Sequence, residues 1–189
     1  MTTVPDPLDR QFRDAAASAG LLDVAYDFAD SPVGTLLVAA SARGLCRISF
    51  DPEPERELDR LASAFGVRVL RSPGPVDPVR HELDEYFEGE RTEFDLPVDL
   101  TTLPDFQREV LQELRRVPYG HIDTYGSLAS RIGKPRAARA IGGALNRNPI
   151  PIVVPCHRIV GASGSLVGYA GGLERKQALL GLEGALLPG

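Results

Sequence analysis

Thr124-Tyr125-Gly126-Ser127-Leu128-Ala129-Ser130-Arg131-Ile132-Gly133-Lys134-Pro135-Arg136-Ala137-Ala138-Arg139-Ala140-Ile141-Gly142-Gly143-Ala144-Leu145 reads as two short helices broken at Gly133-Lys134. Thr124 is a good N-cap, Leu128, Ala129 and Ile132 supply apolar positions at helical spacing, and Gly133 stops the turn. Pro135 opens the next helix, Arg136 to about Leu145, which Asn148-Pro149 ends. That spacing is a helix-turn-helix. The second helix is unusual because small residues dominate it, where a helix reading base edges would carry Asn, Gln or several Arg. Ala138, Ala140 and Gly142 give a smooth surface that fits close approach to a nucleic-acid backbone, with Arg139 left to reach between bases. The same composition fits a helix packed tightly in a core, since Ala and Gly are often buried.

Downstream runs Ile150-Pro151-Ile152-Val153-Val154-Pro155-Cys156-His157-Arg158-Ile159-Val160, read as an extended apolar approach that delivers a cysteine next to a histidine and an arginine. A free thiol titrates near 8.5, so a neighbouring base or cation is the usual way to raise its thiolate fraction. On a continuing strand, His157 would point away from Cys156. The chain must therefore turn at the motif, or a water must bridge the two. An isolated cysteine is most often inert and buried, and Cys46, inside the expected strand Leu45–Phe50, fits that description. Pro-Cys-His-Arg singles out Cys156. His81 and His121 read as surface or locally bonded residues. Gly161–Ser165 and Gly168–Gly172 are glycine-rich turns without the spacing of a phosphate loop. A last helix, about Leu173 to Leu182, offers Leu173, Leu179, Leu180 and Leu182 for burial. Glu183 follows at its C-terminal end, where the helix dipole disfavours a carboxylate unless it is orienting something.

Upstream, Phe106, Val110, Leu111, Leu114 and Val117 repeat at helical spacing after Pro104, placed at N1. Before them the pattern has period two: Val24, Tyr26 and Phe28 alternate, and Thr35–Ala40 and Leu45–Phe50 follow across turns as an antiparallel meander. Leu58, Leu61, Ala62 and Phe65 form a helical stripe over the sheet. Val67–Leu70 is a further strand, Val79–Phe87 a helix with Leu83, Tyr86 and Phe87 inward, and Phe94–Leu100 an extended stretch. The fold class is α+β: a small N-terminal antiparallel sheet with helices, followed by a mainly helical C-terminal domain with a helix-turn-helix. The expected divisions are a tail or short surface helix over 1–22, an N-terminal domain over 23–100 and a C-terminal domain over 101–189.

The 189 residues, 43% hydrophobic and 25% charged, have the composition of a soluble globular protein. No apolar run reaches the roughly 18–20 residues of a bilayer span, and Asp6 and Asp9 occupy the place of a signal peptide's cations. The expectation is a cytoplasmic protein with no membrane role. The net charge of −5 hides two opposite halves: residues 1–100 hold 10 Arg and Lys against 20 Asp and Glu, and residues 101–189 hold 11 against 6. That asymmetry fits a C-terminal half facing a polyanion, and equally two differently composed solvated surfaces. Two cysteines and three histidines at scattered spacings match no zinc pattern and no disulfide framework.

Phe106 to Gly184, with Arg-Ala-Ile-Gly-Gly-Ala and Pro-Cys-His-Arg, strongly resembles the C-terminal DNA-binding domain of the O6-alkylguanine-DNA alkyltransferases (methylated-DNA–protein-cysteine methyltransferases). The meander and helix before it are similar to their N-terminal domain, so the likeness covers roughly 23–184. It implies that Cys156 takes the alkyl group from guanine O6, that His157 relays the proton through a water, and that Glu183 orients His157. It also implies that Arg139 fills the place of the extruded nucleotide, that Tyr125 pushes on its phosphate and donates a proton, and that Asn148 joins the recognition helix to the active-site segment. Base contacts map onto Tyr169 and the backbones of Ile159 and Ala170, and Pro151, Val167 and Tyr169 shape the pocket. Some members carry serine where Ala170 stands; the contact there is from the backbone N–H and is expected to survive. Other members hold zinc in the N-terminal half, where this chain has just Cys46 and His81. The implied partner is double-stranded DNA with an alkylated guanine, handled by a monomer without cofactor or metal. A lesion-binding module without transfer and a Cys-His hydrolase are the competing readings. The cysteine argues against the first; the small-residue helix, Arg139 and the basic half against the second.

Overall fold

Strands with little exposure on either face build the first part of the chain. In the computed structural model, which describes residues 6–185, strands β1 (Val24–Ala29), β2 (Leu36–Ser41) and β3 (Gly44–Phe50) pair as an antiparallel meander. Helix α1 (Asp6–Ser18) precedes them within the stretch read as a tail or short surface helix; residues 1–5 lie outside the described residues. Helix α2 (Pro54–Phe65) follows. Its Leu61 joins Val24, Leu37, Ala39 and Cys46 in one apolar cluster, with Leu58, Phe65, Tyr26, Phe28 and Val69 packed around it.

Strand β4 (Val69–Arg71) runs parallel to β1, with Val24 opposite Val69, so the sheet is mixed rather than wholly antiparallel, in the order β3-β2-β1-β4. The α2 crossover returns the chain in the same direction as β1, which a tight hairpin would not do. Helix α3 (Asp77–Glu88) buries Val79, Leu83 and Tyr86 and leaves Phe87 half-buried. The extended segment after it adds to β3: Leu45 N–H donates to Pro97 O at 2.9 Å and Asp99 N–H to Leu45 O at 2.8 Å. Gly44 makes this approach possible. Its φ is +128°, and a Cβ there would overlap the Pro97 carbonyl.

Residues up to Tyr86, together with Asp95–Thr102, form one compact unit; Phe87–Phe94 and the chain from Leu103 onward form the second. The second contains α4 (Asp105–Leu114), β5 (Asp123–Thr124), α5 (Tyr125–Arg131), α6 (Ala138–Asn146), β6 (Ile159–Val160) and α7 (Leu173–Leu182). Pro104 is the N-cap of α4 rather than its first residue. Thr124 caps α5 as expected, its Oγ1 accepting from Ser127 N–H at 3.1 Å. Helix α6 begins at Ala138, because Ala137 N–H closes a turn on Lys134 O at 2.8 Å and holds Pro135-Arg136 outside the helix. Ile141, Ala144 and Leu145 face α4 and α5, and Gln107 of α4 donates to Ala144 O and Arg147 O, satisfying carbonyls at the end of α6. Arg139 and Ala140 are exposed. One face of α6 is thus core, and the other is a smooth solvent surface. No helix among the described residues is long and apolar enough to cross a membrane.

Candidate active site

The run Ile150–Pro155 is not extended. It is a series of turns in which every residue from Pro151 to Val160 is buried. Two causes replace the strand. Ile152 adopts φ +74°, rare for a β-branched residue, and Asn148 captures backbone groups a strand would pair. Asn148 Oδ1 accepts from Ile150 N–H at 3.0 Å, and its Nδ2 donates to Val154 O at 2.8 Å and to Cys156 Sγ at 3.2 Å. Both donors of the amide are used, and one of them reaches the thiol.

Cys156–Arg158 then forms one 3-10 turn, with Arg158 N–H on Pro155 O and Ile159 N–H on Cys156 O. A tight turn sends successive side chains in different directions. His157 and Arg158 accordingly meet Glu183 at the end of α7. His157 Nε2 lies 2.8 Å from Glu183 Oε1, Arg158 Nε donates to Glu183 Oε2 at 2.9 Å and its Nη2 to Oε1 at 2.9 Å, while Nη1 donates to Val117 O at 2.6 Å. His157, Arg158 and Glu183 are all buried. Nδ1 of His157 is buried without a protein partner among the described residues. Burial works to raise the Glu183 carboxyl, but the bonds and charges of His157 and Arg158 outweigh it and hold it at about 2. For His157, burial prevails and lowers its pKa, although Glu183 pulls it up. The carboxylate is ionised and the imidazole neutral at pH 7.

Strand β6 lies parallel to β5, with Ile159 opposite Asp123 and Val160 opposite Thr124, and so sets the first residue of α5 near the cysteine turn. A cavity of about 260 Å³ is lined by Tyr125, Gly142, Leu145, Asn146, Cys156, Val167, Gly168, Tyr169 and Ala170. It joins the thiol, the start of α5, the end of α6 and the second glycine-rich loop. Pro151 and Ile159 are buried and do not line it. Tyr125 Oη donates to Val167 O at 3.2 Å. Burial, and then the charge of Cys156, raise the pKa of Tyr125 and Tyr169. Burial pushes the Cys156 thiol up to about 11, against the Asn148 bond and the charge of Lys176.

Arg158 and Lys176 were legible as charged residues but not as parts of the site. Helix α7 buries Lys176, Leu179, Leu180 and Glu183, whereas Leu173 and Leu182, expected inside, are exposed. The i, i+3, i+4, i+7 rule that identifies a core face runs through the two ionisable residues, which was the available signal. Cys46 is buried, its Sγ bonded to Ala39 O at 3.3 Å, with burial pushing its pKa up to about 12. His81 is exposed beside Glu85, and His121 Nδ1 lies 3.0 Å from Tyr119 O. Among the described residues no three His, Cys, Asp or Glu side chains gather as metal ligands.

A cysteine turn with a histidine-carboxylate pair, opening into a cavity beside the smooth helix of a helix-turn-helix, places the chain among helix-turn-helix proteins with a cysteine site. Residues 105–185 match the 6-O-methylguanine DNA methyltransferase, DNA binding domain, and residues 24–100 match the 6-O-methylguanine DNA methyltransferase, ribonuclease-like domain. The chain is similar to the methylated-DNA–protein-cysteine methyltransferase of Mycobacterium bovis, 42% identical over 163 residues that span 86% of this chain and 94% of the relative. A Methanosarcina acetivorans protein of the same name is 39% identical, over 85% of this chain and 98% of the relative. Among solved structures, Mycobacterium tuberculosis OGT in complex with DNA is similar with a TM-score of 0.75 and 42% identity, covering 85% of this chain and 92% of that one. The chain belongs to the 6-O-methylguanine DNA methyltransferase family.

Proposed function

We propose that this protein repairs double-stranded DNA by extruding O6-alkylguanine, chiefly O6-methylguanine, and moving the alkyl group irreversibly onto Cys156. The observation that carries the reading is the cavity that brings Cys156 together with Tyr125 and the end of α6. A base inside a stacked duplex is out of reach of a buried thiol, so the nucleotide must rotate out. Exposed Arg139 occupies the gap, and Ala138, Ala140 and Gly142 let α6 approach the backbone closely. Tyr125 presses on the target phosphate. Asn148 serves as the joint between α6 and the cysteine loop. In the pocket, Tyr169, Val167 and the backbone of Ala170 hold the base.

The chemistry balances without a cofactor. The Cys156 proton passes through a water to the neutral imidazole of His157, oriented by Glu183, and the sulfur attacks the alkyl carbon as the bond to O6 breaks. The electron pair leaves on guanine, which regains a proton with Tyr125 as donor. The product is a thioether with no ready leaving group, so each molecule acts once. Residues 101–189 carry this chemistry, 23–100 form the accompanying domain and 1–22 a flanking segment; the protein works as a cytoplasmic monomer.

Intact mass after incubation with an oligonucleotide bearing O6-methylguanine tests the proposal. The protein is expected to gain one methylene on Cys156, and Cys156→Ala to gain nothing while still binding DNA. Full transfer by Cys156→Ala, or no gain by the native protein, defeats it.

A further inference from the structure

Glu183 is answered by His157 and Arg158, but the other ionisable residue on the inner face of α7 is not matched in this way. Lys176 is fully buried and pairs with no carboxylate among the described residues. Its Nζ donates to Ile159 O at 2.5 Å and to Val167 O at 2.9 Å. Two carbonyl dipoles only partly replace the water a buried ammonium has lost. Both carbonyls belong to the reaction site. Ile159 closes the cysteine turn, its N–H on Cys156 O, and Val167 lines the cavity and also accepts from Tyr125 Oη.

We propose that Lys176 is the counter-cation of the Cys156 sulfur: a positioning residue that holds the thiolate's charge and ties the pocket wall to the cysteine turn. The claim rests on the transfer reaction argued above. Around the sulfur, Arg158 and Glu183 cancel, and His157 is neutral until it takes the thiol proton. Tyr125 from α5 and Tyr169 from the loop stay protonated below their raised pKa values, and Arg175 lowers Tyr169 from the same helix as Lys176. Asn148 gives a neutral hydrogen bond. Lys176 is therefore the surplus positive charge facing a group that becomes negative during reaction. Burial lowers Lys176 and raises Cys156, and each charge offsets the other's shift. Methylation removes the possibility of an anion on sulfur and leaves the ammonium without its partner.

The chain has two lysines, Lys134 and Lys176, so the ammonium groups can be followed one by one by NMR in protein labelled with 15N-lysine. Native protein is titrated before and after alkylation of Cys156 by iodoacetamide. Lys176 is expected to titrate at lower pH after alkylation, with Lys134, paired with Glu109, unmoved. In Lys176→Met, the rate of Cys156 alkylation by iodoacetamide at pH 7.5 is expected to fall at least tenfold and its pH profile to shift at least one unit toward alkali, with Lys176→Arg restoring part of the shift. An unchanged Lys176 titration, or a folded Lys176→Met with the native profile, overturns the proposal. If Lys176→Met does not fold, the titration of native protein decides. Because iodoacetamide needs no DNA, a shifted profile in a protein that gains no methylene from the oligonucleotide leaves this inference standing and removes the transfer reaction instead.

Discussion

Glu183 shows how one side chain links stability to chemistry. Its carboxyl titrates at about 2 in the folded protein against an ordinary 4.5. The stabilisation is fully present above about 4.5 and is lost as pH falls through 2; 2.5 pH units amount to about 3 kcal/mol. His157 has the same sign, because its folded pKa also lies below its ordinary 6.5: its neutral form is favoured, and acidification below 6.5 costs stability. The unfolding free energy is therefore expected to fall steadily from pH 7 to pH 2. Glu183→Gln should lack the portion between 4.5 and 2, measured by urea unfolding across that range. A native protein that gained stability on acidification through this window would contradict the arrangement. Arg158→Met takes a charged partner from the buried Glu183, which costs about 3–5 kcal/mol and should raise the pH at which acid unfolding begins.

At the scale of elements, what was legible depended on whether local pattern decided the backbone. β1 follows from alternation, β2 from its apolar run and α2 from Leu58, Leu61 and Phe65, and Thr124 capped the helix its chemistry suggested. The parallel pairing of β4 depends on a partner some 45 residues away in the chain, which no local signal encodes. Ile150–Val154 looked like a strand because every side chain is apolar; the Asn148 side chain and the positive φ of Ile152 decide otherwise, and both are tertiary effects. Pro-Cys-His-Arg and Glu183 could be read directly, whereas Lys176 was hidden by the expectation that lysine faces water. The Asn148 loop carries its own test. Asn148→Ala strands Ile150 N–H at about 1–3 kcal/mol, leaves Val154 O with the Cys156 N–H as donor, and takes a donor from the sulfur. Losing a hydrogen bond to a charged group, about 1.5–3 kcal/mol, predicts single-turnover methyl transfer slowed about tenfold to a hundredfold. A variant with lowered Tm but the native rate would make Asn148 a scaffold residue alone.

Across the whole molecule, the arginines differ less in number than in how they are matched. In the first unit Arg47 and Arg60 meet Glu57, Arg71 and Arg80 meet Asp27, and Arg68 meets Asp23. In the second, Arg108, Arg116, Arg131 and Lys134 also meet carboxylates. Arg115, Arg136, Arg139 and Arg147 are exposed and pair with no acid among the described residues; Arg115 ends α4, and the other three lie on α6 or its flanks. A cation already paired with a carboxylate has little charge to offer a phosphate, so formal charge overstates the electrostatic footprint, and the unmatched set locates it. Each phosphate neutralised contributes about 0.9 to the slope of log affinity against log salt. Arg136→Ala and Arg147→Ala, measured by fluorescence anisotropy on an unmodified duplex from low to physiological salt, are each expected to reduce that slope by about one. Arg116→Ala, which removes a side chain bonded to Glu113, should leave it nearly unchanged. Equal loss of slope from Arg116 and from Arg136 would mean that total charge, rather than the unmatched arginines around α6, meets the DNA.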